Sequence, residues 1–271
     1  MKTRILYLLT LLLARPQFFG FARKLFHLSL RMMGLLNIES FRLSGERTLL
    51  RHALKGQHQP IIFDVGANEG KYARQVRALS RDAKLHCFEP HPGTFRRLSE
   101  AAKLLDFQAY NLGCAATLGQ LPLYDYSESE SDGSGSTHAS LSRGAVAREA
   151  GSATSEVLVQ LVPLDTFCLE HQISHVRLLK IDTEGYELEV LKGARELLKN
   201  GAIDLIQFEF NDMNPYTRVF MRDFFEILGG YDLFRLLPNG FLPLGAYLPL
   251  EHELFAFQNI LAIRRDLRFP D

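Results

Sequence analysis

The chain has 271 residues, which is enough for one large α/β domain and an extension. Its 31 Lys and Arg residues balance its 31 Asp and Glu residues, so no global basic surface points to nucleic acid as a partner. The cysteines Cys87, Cys114 and Cys168 show neither a C-x-x-C pair nor zinc-ligand spacing, and they indicate a reducing compartment.

Residues 1–40 are apolar and basic, with six Lys or Arg residues before the first acid, Glu39. The apolar run Ile5–Ala14 is too short to span a bilayer, and Arg15 follows where a signal peptide would carry small residues. Phe18–Leu36 predicts an amphipathic helix with an aromatic and aliphatic side and a basic side. We therefore expect a cytoplasmic protein. We leave open whether residues 1–40 attach it to the inner membrane face, pack as a lid or form a homodimer contact.

The stretch Ile61–Gly70, IIFDVGANEG, predicts a buried strand, a tight turn and the start of a helix. Asp64 stands at the end of the strand, and Gly66, Asn68 and Gly70 follow in the turn. Glycine lets the backbone approach a ligand, and the free N–H groups of a first helical turn attract a carboxylate or phosphate. The pattern is typical of a nucleotide-type site, and also of a plain β–α turn.

The second strand, LHCFEP, ends in Glu89, nineteen positions after Gly70. An acid at this position holds adjacent ribose hydroxyls in nucleotide-binding α/β folds. A dinucleotide and S-adenosylmethionine (SAM) both carry ribose, but the GANEG turn lacks the glycine of G-x-G-x-x-G that admits a pyrophosphate. SAM has no phosphate, and its amino-acid end suits a turn flanked by Asp64. We therefore favour SAM.

Further along the chain, helical periodicity and short apolar runs alternate. The predicted helices are Arg42–Gln59, Thr94–Leu105, a short one around Asp165, one that follows Gly185 and reaches Leu197, and Tyr216–Leu228. The predicted strands are Phe107–Ala115, which ends near Asn111, Leu121–Tyr124, one from Val157 to Pro163, one with Leu178, Leu179 and Ile181 that ends in Asp182, Ile203–Asn211, Tyr231–Leu237 and Phe257–Arg265, with a Pro- and Leu-rich loop before the last. This alternation predicts a doubly wound, mostly parallel sheet in residues 46–271, behind an N-terminal helical extension of residues 1–45.

An insert at Ser127–Ser155 is rich in Ser, Gly, Ala and Glu and almost free of large apolar residues. Such a stretch cannot bury a core, so we expect a long loop. Within it, Gly133–Arg143 could bring hydroxyl groups, His138 and Arg143 to a substrate, or it could be a solvated linker.

Polar side chains stand at the ends of five predicted strands: Asp64, Glu89, Asn111, Asp182 and Glu209. In an open α/β sheet the carboxyl ends of the strands form the ligand crevice. We therefore expect these five residues to share one site.

The segments FDVGANEGKYA, CFEP, VPLDTF, LLKIDTEGYELEVLKGA and QNILAIRR resemble the FkbM-type SAM-dependent methyltransferases. The resemblance implies a seven-stranded, Rossmann-like sheet with an antiparallel last strand. It also implies O-methylation of a sugar, polysaccharide, glycolipid or polyketide-type product. Carried over from the family, the amino-acid end of SAM would be held by Asp64, Gly66, Asn68 and Gly70, and its ribose by Glu89.

The same resemblance places Asn111 near the adenine and Asp182, with Glu184, beside the methyl group, but it assigns no base. A side chain within hydrogen-bond reach of the acceptor hydroxyl could take its proton, and the candidates are Asp182, Glu209 and His138. Asp182 leads because its strand neighbours the first strand in this topology, although it could instead cap the turn. No His joins the two acids at ligand spacing, so we predict no metal.

Two other functions compete with O-methyl transfer. A nicotinamide-dependent reductase would use the same crevice, but the chain lacks both the G-x-G-x-x-G turn and a Tyr-x-x-x-Lys pair. A membrane-associated binding module would keep the fold without turnover.

Overall fold

The computed structural model describes residues 7, 10–36, 40–126 and 154–267 of the chain. Within these ranges the helices are a 3-10 turn at Pro16–Phe18, α1 Phe19–Met32, α2 Glu46–Leu54, α3 Lys71–Leu79, α4 Pro92–Leu105, α5 Leu164–Glu170, α6 Glu187–Lys192, α7 Arg195–Lys199, α8 Asn214–Thr217, α9 Met221–Ile227 and α10 Pro249–His252. The strands are β1 Ile61–Val65, β2 Lys84–Phe88, β3 Gln108–Tyr110, β4 Gly113–Cys114, β5 Gly119–Tyr126, β6 Thr154–Val162, β7 Val176–Ile181, β8 Ile203–Phe210, β9 Tyr231–Leu237, β10 Gly240–Pro243 and β11 Gln258–Arg264.

The main feature is an eight-stranded sheet with the order β10-β9-β11-β8-β7-β1-β2-β3. The run from β3 to β8 is parallel, and β11 lies antiparallel to both β8 and β9. This arrangement confirms the predicted doubly wound α/β fold with an antiparallel last strand. The strand order reverses between β1 and β7, so the crevice for a ligand is expected where the carboxyl ends of these two strands meet.

The large sheet has one strand more than the predicted seven. The Pro- and Leu-rich segment before the last strand, predicted as a loop, holds β10, which pairs antiparallel with β9. A two-residue turn at 238–239 joins them. Asn239 followed by Gly240 is a hairpin signal, and the prolines on either side conceal it in the sequence.

A second, three-stranded sheet has the order β4-β6-β5. The predicted third strand is divided in two. Its first part, β3, ends just before Asn111 as expected and belongs to the large sheet, whereas β4 belongs to the small one. The chain changes sheets at Asn111, whose side-chain amide donates to two backbone carbonyls just after β2. The predicted strand Leu121–Tyr124 is confirmed and is longer than expected. Its last residue, Tyr126, pairs with Thr154, and the insert between them lies outside the described residues.

Two predicted helices are each divided in two. The helix expected after β7 is divided into α6 and α7 next to Gly193, where an added Cβ would collide with the carbonyl oxygen of Ala115. The helix expected at Tyr216–Leu228 is divided into α8 and α9 by Arg218, which has a left-handed φ of 56°. Close packing and a left-handed residue therefore override the helical periodicity of the sequence.

Both faces of the large sheet are buried. Successive residues of a strand point to opposite faces, so Ile62 belongs to the core on one face and Phe63 to the core on the other. The second core is rich in aromatic rings, and Phe63, Phe88 and Phe167 contact one another edge to face. These cores fix the strands, and with them the positions of the side chains at the strand ends.

The N-terminal helix α1 confirms the helix predicted within Phe18–Leu36, and its apolar side is exposed. Of its residues, all of which are described, only Leu30 is buried. Phe21 is 69% exposed and Met32 is 74% exposed. Within the described residues, the apolar side of this helix therefore does not pack on the core. Among the described residues, no helix is long and apolar enough to cross a membrane.

Candidate functional site

The turn after β1 brings backbone N–H groups to the carboxyl end of the sheet. Gly66 has a φ of +79°, and a Cβ there would collide with the carbonyl oxygen of Asp182, just after β7. The N–H groups of Gly66 and Ala67 donate to the carbonyl of Phe88 at 3.0 and 2.9 Å. Gly70, with a φ of +78°, ends the turn where α3 begins. Only glycine allows so close an approach between the turn and β7.

Glu89 stands just after β2, and only 8% of its surface is exposed. Its Oε2 accepts a hydrogen bond from the N–H of Asn68 at 3.0 Å, and its Oε1 accepts one from the N–H of His91 at 2.9 Å. Burial raises the pKa of Glu89 to about 7, although both backbone bonds favour the ionised form. A carboxylate has about four lone-pair sites, so it can still accept bonds from two hydroxyl groups.

A cavity of about 730 Å³, here called the first cavity, opens beside the turn. Its lining residues come from the turn, the ends of β2 and β7, and the small sheet: Val65, Gly66, Asn68, Phe88, Glu89, Pro90, Thr94, Leu112, Gly113, Cys114, Leu123, Asp182, Thr183, Glu184 and Tyr186. The buried Oδ1 atom of Asn68 accepts no hydrogen bond from the described part of the chain. A buried acceptor without a donor costs about 1–3 kcal/mol, so this atom suits an N–H donor of a ligand.

Three predicted cofactor residues lie outside this lining, namely Asp64, Gly70 and Asn111. Asp64 is fully buried, and its Oδ1 lies 3.3 Å from the Nζ of Lys180. Burial raises the pKa of Asp64, and the Lys180 ammonium opposes that rise. The Nδ2 of Asn111 donates to the carbonyl oxygens of Glu89 and the following residue, both at 2.9 Å. Asn111 thus fixes the backbone around Glu89, while its neighbours 112–114 line the cavity.

A second crevice, of about 1270 Å³, shares a wall with the first cavity. Asp182 and Glu184 line both spaces. The other lining residues come from the N-terminal segment and the start of α2, from α3, and from or beside strands β7, β8 and β11: Ser40, Phe41, Ser44, Glu46, Lys71, Tyr72, Gln75, Lys180, Glu209, Phe257 and Asn259. A ligand in the first cavity and a ligand in the second crevice would therefore meet next to Asp182.

Lys180 lies on the crevice and was not among the predicted site residues. Its Nζ is 3.0 Å from Asp182 Oδ2, 3.3 Å from Asp64 Oδ1 and 5.2 Å from the centre of the Tyr72 ring. Burial lowers the pKa of Lys180, but the two carboxylates outweigh burial and raise that pKa well above its ordinary value. Lys180 is therefore an ammonium ion. A lysine within the apolar strand VRLLKI is the signal that could have identified it, because a buried lysine needs a partner.

Glu209, near the end of β8, lines the same crevice. Burial raises its pKa well above the ordinary value, and the carboxylates of Asp182 and Glu184 raise it further. This shift favours the protonated carboxyl of Glu209, which can donate a hydrogen bond. The role of Glu209 as a base stays a prediction. His138, the third candidate base, lies outside the described residues, as does Gly133–Arg143, so the expected contact with a substrate stays a prediction.

Glu187 was also missed, and it holds the turn that separates the two spaces. Its Oε1 accepts hydrogen bonds from the N–H and hydroxyl of Thr183, both at 3.0 Å, and from the N–H of Gly185 at 3.1 Å. The turn contains two left-handed residues, Glu184 with φ 53° and Gly185 with φ 97°. Burial raises the pKa of Glu187 to about 7. An acid two residues after a T-E-G turn is the signal in the sequence, since it resembles an N-terminal helix cap.

Thiol chemistry is disfavoured at this site. The three cysteines are free and buried, and burial raises the pKa of Cys87 and Cys114, which keeps both as weakly nucleophilic thiols. Among the described residues, no group of three or more His, Cys, Asp or Glu side chains is arranged to hold a metal ion.

Comparison with known proteins identifies the family. The family model described as "Methyltransferase FkbM domain" matches residues 64–233, which is more than half of the chain. The 2-O-methyltransferase NoeI of Sinorhizobium fredii is 28% identical over 190 residues, with 67% of this chain and 76% of that protein covered. The hexuronic acid methyltransferase AglP of Haloferax volcanii is 28% identical over 161 residues, with 58% of this chain and 60% of that protein covered.

Solved structures show a more distant likeness. Fibrillarin of Aeropyrum pernix, in complex with natively bound S-adenosyl-L-methionine, aligns with a TM-score of 0.40 and 13% identity, covering 80% of this chain and 74% of that chain. We draw no functional argument from a likeness at this level.

Proposed function

The chain belongs to the FkbM methyltransferase family, and on that premise we propose that it methylates a hydroxyl group of a sugar or of a sugar-containing lipid. SAM is the methyl donor of this enzyme. The names of two similar proteins, a 2-O-methyltransferase and a hexuronic acid methyltransferase, support transfer to the oxygen of a sugar. The observation that carries the proposal is that Asp182 borders both the first cavity and the second crevice.

We place SAM in the first cavity. The unpaired Oδ1 of Asn68 would accept a hydrogen bond from the amino group of its amino-acid end, next to the close-packed backbone of Gly66. Glu89 would accept bonds from the ribose hydroxyls, and the backbone of residues 112–114 would lie against the adenine. When bound, SAM supplies a methyl group on a sulfonium, which is already strongly activated. In this proposal Gly70 and Asn111 shape the cavity without touching its ligand.

Asp182 is proposed as the base. It would take the proton of the acceptor hydroxyl while the oxygen attacks the methyl carbon and the carbon–sulfur bond breaks. The Lys180 ammonium, 3.0 Å from Asp182 Oδ2, would hold the carboxylate in place, with Asp64 behind it. Protonated Glu209 would donate a hydrogen bond to the acceptor. Because the methyl group is activated, in-line placement by these groups would supply much of the acceleration.

The test is transfer of an isotope-labelled methyl group from SAM to glycans released from a lipid extract by mild acid. We expect the label on a sugar oxygen as a methyl ether, which survives mild alkali and can be located by mass spectrometry of the hydrolysed sugars. A label released by mild alkali would mark a methyl ester and contradict transfer to a hydroxyl. Absence of label from every sugar-containing fraction would contradict the sugar acceptor.

We also propose that α1 attaches the enzyme to the surface of an anionic membrane, on the cytoplasmic side where SAM is available. Its exposed Phe21 and Leu25 side chains would enter the acyl boundary. Arg23, Lys24 and Arg31 line one groove on the helix, and each basic residue near an anionic surface contributes about 1 kcal/mol.

Flotation with anionic and neutral liposomes tests the membrane proposal. The full chain should float with anionic liposomes and lose that binding at high salt, and a double variant, Arg23→Glu with Lys24→Glu, should stay at the bottom. If the full chain does not float, and Phe21→Glu instead converts a dimer into a monomer in sedimentation, the helix is a homodimer contact.

A further inference from the structure

We propose that the second crevice is the acceptor site, that residues 40–46 form one wall of it, and that it selects an uncharged or amino-bearing pyranose over a sugar acid. This inference rests on the proposed function, because it specifies the acceptor of the same reaction. The last residues of the N-terminal extension would then belong to the active site.

The end of the extension is fixed to the edge of the large sheet. Gly34 and Gly45 have left-handed φ angles of 79° and 86°, and a Cβ at either position would come within 2.6 Å of Leu237. The guanidinium of Arg235 donates to the carbonyl of Met33 at 3.2 Å. Residues 33–36 and 40–45 are therefore held against β9 by close approach at Gly34 and Gly45, which leaves little freedom for the wall that residues 40–46 build.

A hydrogen-bond network connects this wall to the floor of the crevice. Ser44 Oγ donates to Glu46 Oε2 at 2.9 Å, and Gln207 Nε2 donates to Glu46 Oε1 at 3.0 Å. The same Nε2 donates to Asn259 Oδ1 at 3.1 Å, and the hydroxyl of Tyr72 donates to Gln207 Oε1 at 3.2 Å. Ser44 at the end of the extension and Glu46 at the start of α2 thus orient polar groups that line the crevice. Preorganised polar groups favour a ligand with many hydroxyls.

The charges of the crevice disfavour an anionic acceptor. Four acids line it, Glu46, Asp182, Glu184 and Glu209, against Lys71 and Lys180. The raised pKa of Glu209 favours its neutral form, so the negative charge is that of the other three acids. Lys180 is neutralised by its two carboxylate partners, and Lys71 is exposed at the edge. A carboxylate or phosphate on the sugar ring would meet like charges, which costs affinity, whereas a neutral or ammonium group would not.

Two aromatic rings complete the site. Phe41 from the extension and Phe257 just before β11 are both partly exposed and line the crevice. The C–H-bearing face of a pyranose ring is apolar, so it can pack on such rings while its hydroxyls bond to acids and amides. The combination of aromatic faces, fixed amides and carboxylates is what a pyranose requires.

The experiment separates the released glycans on an anion exchanger into an unretained pool and a retained, anionic pool. Each pool is offered to the wild-type enzyme with labelled SAM, and to Phe41→Ala, Glu46→Gln and the control Phe220→Ala, whose partly exposed ring lies outside the crevice lining. We expect label in the unretained pool. Phe41→Ala removes a ring face that would pack on the acceptor, and Glu46→Gln removes a fixed carboxylate beside it. Each change should raise the KM for the unretained pool about tenfold. Affinity for S-adenosylhomocysteine should stay unchanged, and the control should match the wild type.

A direct binding measurement guards against variants that fold poorly. The chain contains no tryptophan, so Phe41→Trp supplies a single tryptophan in the crevice and Phe220→Trp a matched one outside it, each excited selectively over the tyrosines. With saturating S-adenosylhomocysteine, the unretained pool should change the fluorescence of the first variant and not of the second. Wild-type transfer without any effect of Phe41 or Glu46, or label mainly in the retained pool, would overturn the inference and leave the proposed function standing. Absence of transfer to both pools would instead contradict the proposed function itself.

Discussion

The first cavity and the second crevice each contain a carboxylate at the end of a strand, but the two carboxylates are held differently. Glu89 accepts hydrogen bonds from two backbone N–H groups, whereas Asp182 accepts one from the side chain of Lys180. Backbone donors do not depend on which side chains surround them. The ion pair at Asp182 depends on the side chain of Lys180, and that side chain also pairs with Asp64. We infer that the first cavity tolerates substitutions around it and that the crevice depends on a few side chains.

The largest expected effect concerns Lys180, which pairs with Asp182 and Asp64 at the second crevice. Lys180→Met should lower the free energy of unfolding by about 3–5 kcal/mol, because it leaves Asp64 buried without its cationic partner. Chemical denaturation measures this loss. Lys71→Met is the matched control, since it removes an exposed lysine from the same crevice, and it should change stability by less than about 0.5 kcal/mol. Equal, small effects in both variants would show that Lys180 does not hold the buried acids.

In the first cavity, where backbone N–H groups hold the carboxylate, Glu89→Gln should weaken SAM binding more than about tenfold. An amide would replace a carboxylate that accepts hydrogen bonds from two ribose hydroxyls. Wild-type affinity should rise as the pH rises through about 7, where Glu89 ionises, and the variant should show no such rise. Calorimetric titration between pH 6 and pH 8 (roughly one unit either side of that pKa) measures both effects. The control is Glu69→Gln in the same turn, whose carboxylate pairs with Arg97 at the surface. A pH-independent wild-type affinity would contradict the role of Glu89.

The turn between the two spaces should make stability depend on pH. The pKa of Glu187 is about 7 in the folded chain and 4.5 in its ordinary state, so the folded chain binds this proton more tightly. The contribution of Glu187 to stability is therefore full below about pH 4.5 and is lost as the pH rises through about 7. Glu187→Gln should remove a share of that fall on the order of 1 kcal/mol, and the remainder is due to the other buried acids with a raised pKa, Glu89, Asp64 and Glu209. Glu189→Gln on the same helix, half-exposed and paired with Lys192, should leave the dependence unchanged in thermal melts.

The smallest expected effect concerns Glu209. A protonated carboxyl and an amide both donate a hydrogen bond, so Glu209→Gln should keep the transfer rate within about fivefold of the wild type at neutral pH. Single-turnover measurement of labelled methyl transfer checks this. A loss of about a hundredfold or more would mean that Glu209 acts as the base after all.

Much of the fold follows from the sequence, because β1, β2, β7 and β8 are short apolar runs that alternate with helical periodicity. The positions at which two predicted helices are interrupted do not follow from the sequence. Gly193 ends α6 because the backbone of Ala115 lies against it, and Arg218 separates two helices by adopting a left-handed conformation. The first depends on a contact between distant parts of the chain and the second on a left-handed backbone at a non-glycine residue, and helical periodicity predicts neither.

The site shows the same division. Gly66, Asn68, Glu89 and Asp182 line one cavity because each follows the end of a parallel strand, and that position can be predicted from the sequence. The importance of Lys180 depends on its distances to two acids from different strands, which only the folded chain brings together. The roles of all these residues toward SAM and the acceptor stay predictions.

The most direct test of the account is Asp182→Asn, measured for both transfer and cofactor binding. We predict a loss of at least about a hundredfold in the single-turnover rate at saturating SAM, because the proton acceptor on the shared wall is gone. Affinity for S-adenosylhomocysteine should stay within about threefold of the wild type, since the first cavity keeps Glu89 and its backbone donors. A variant that transfers methyl groups at the wild-type rate, or one that loses rate and cofactor affinity in equal measure, would contradict the claim that Asp182 links the two spaces as the base.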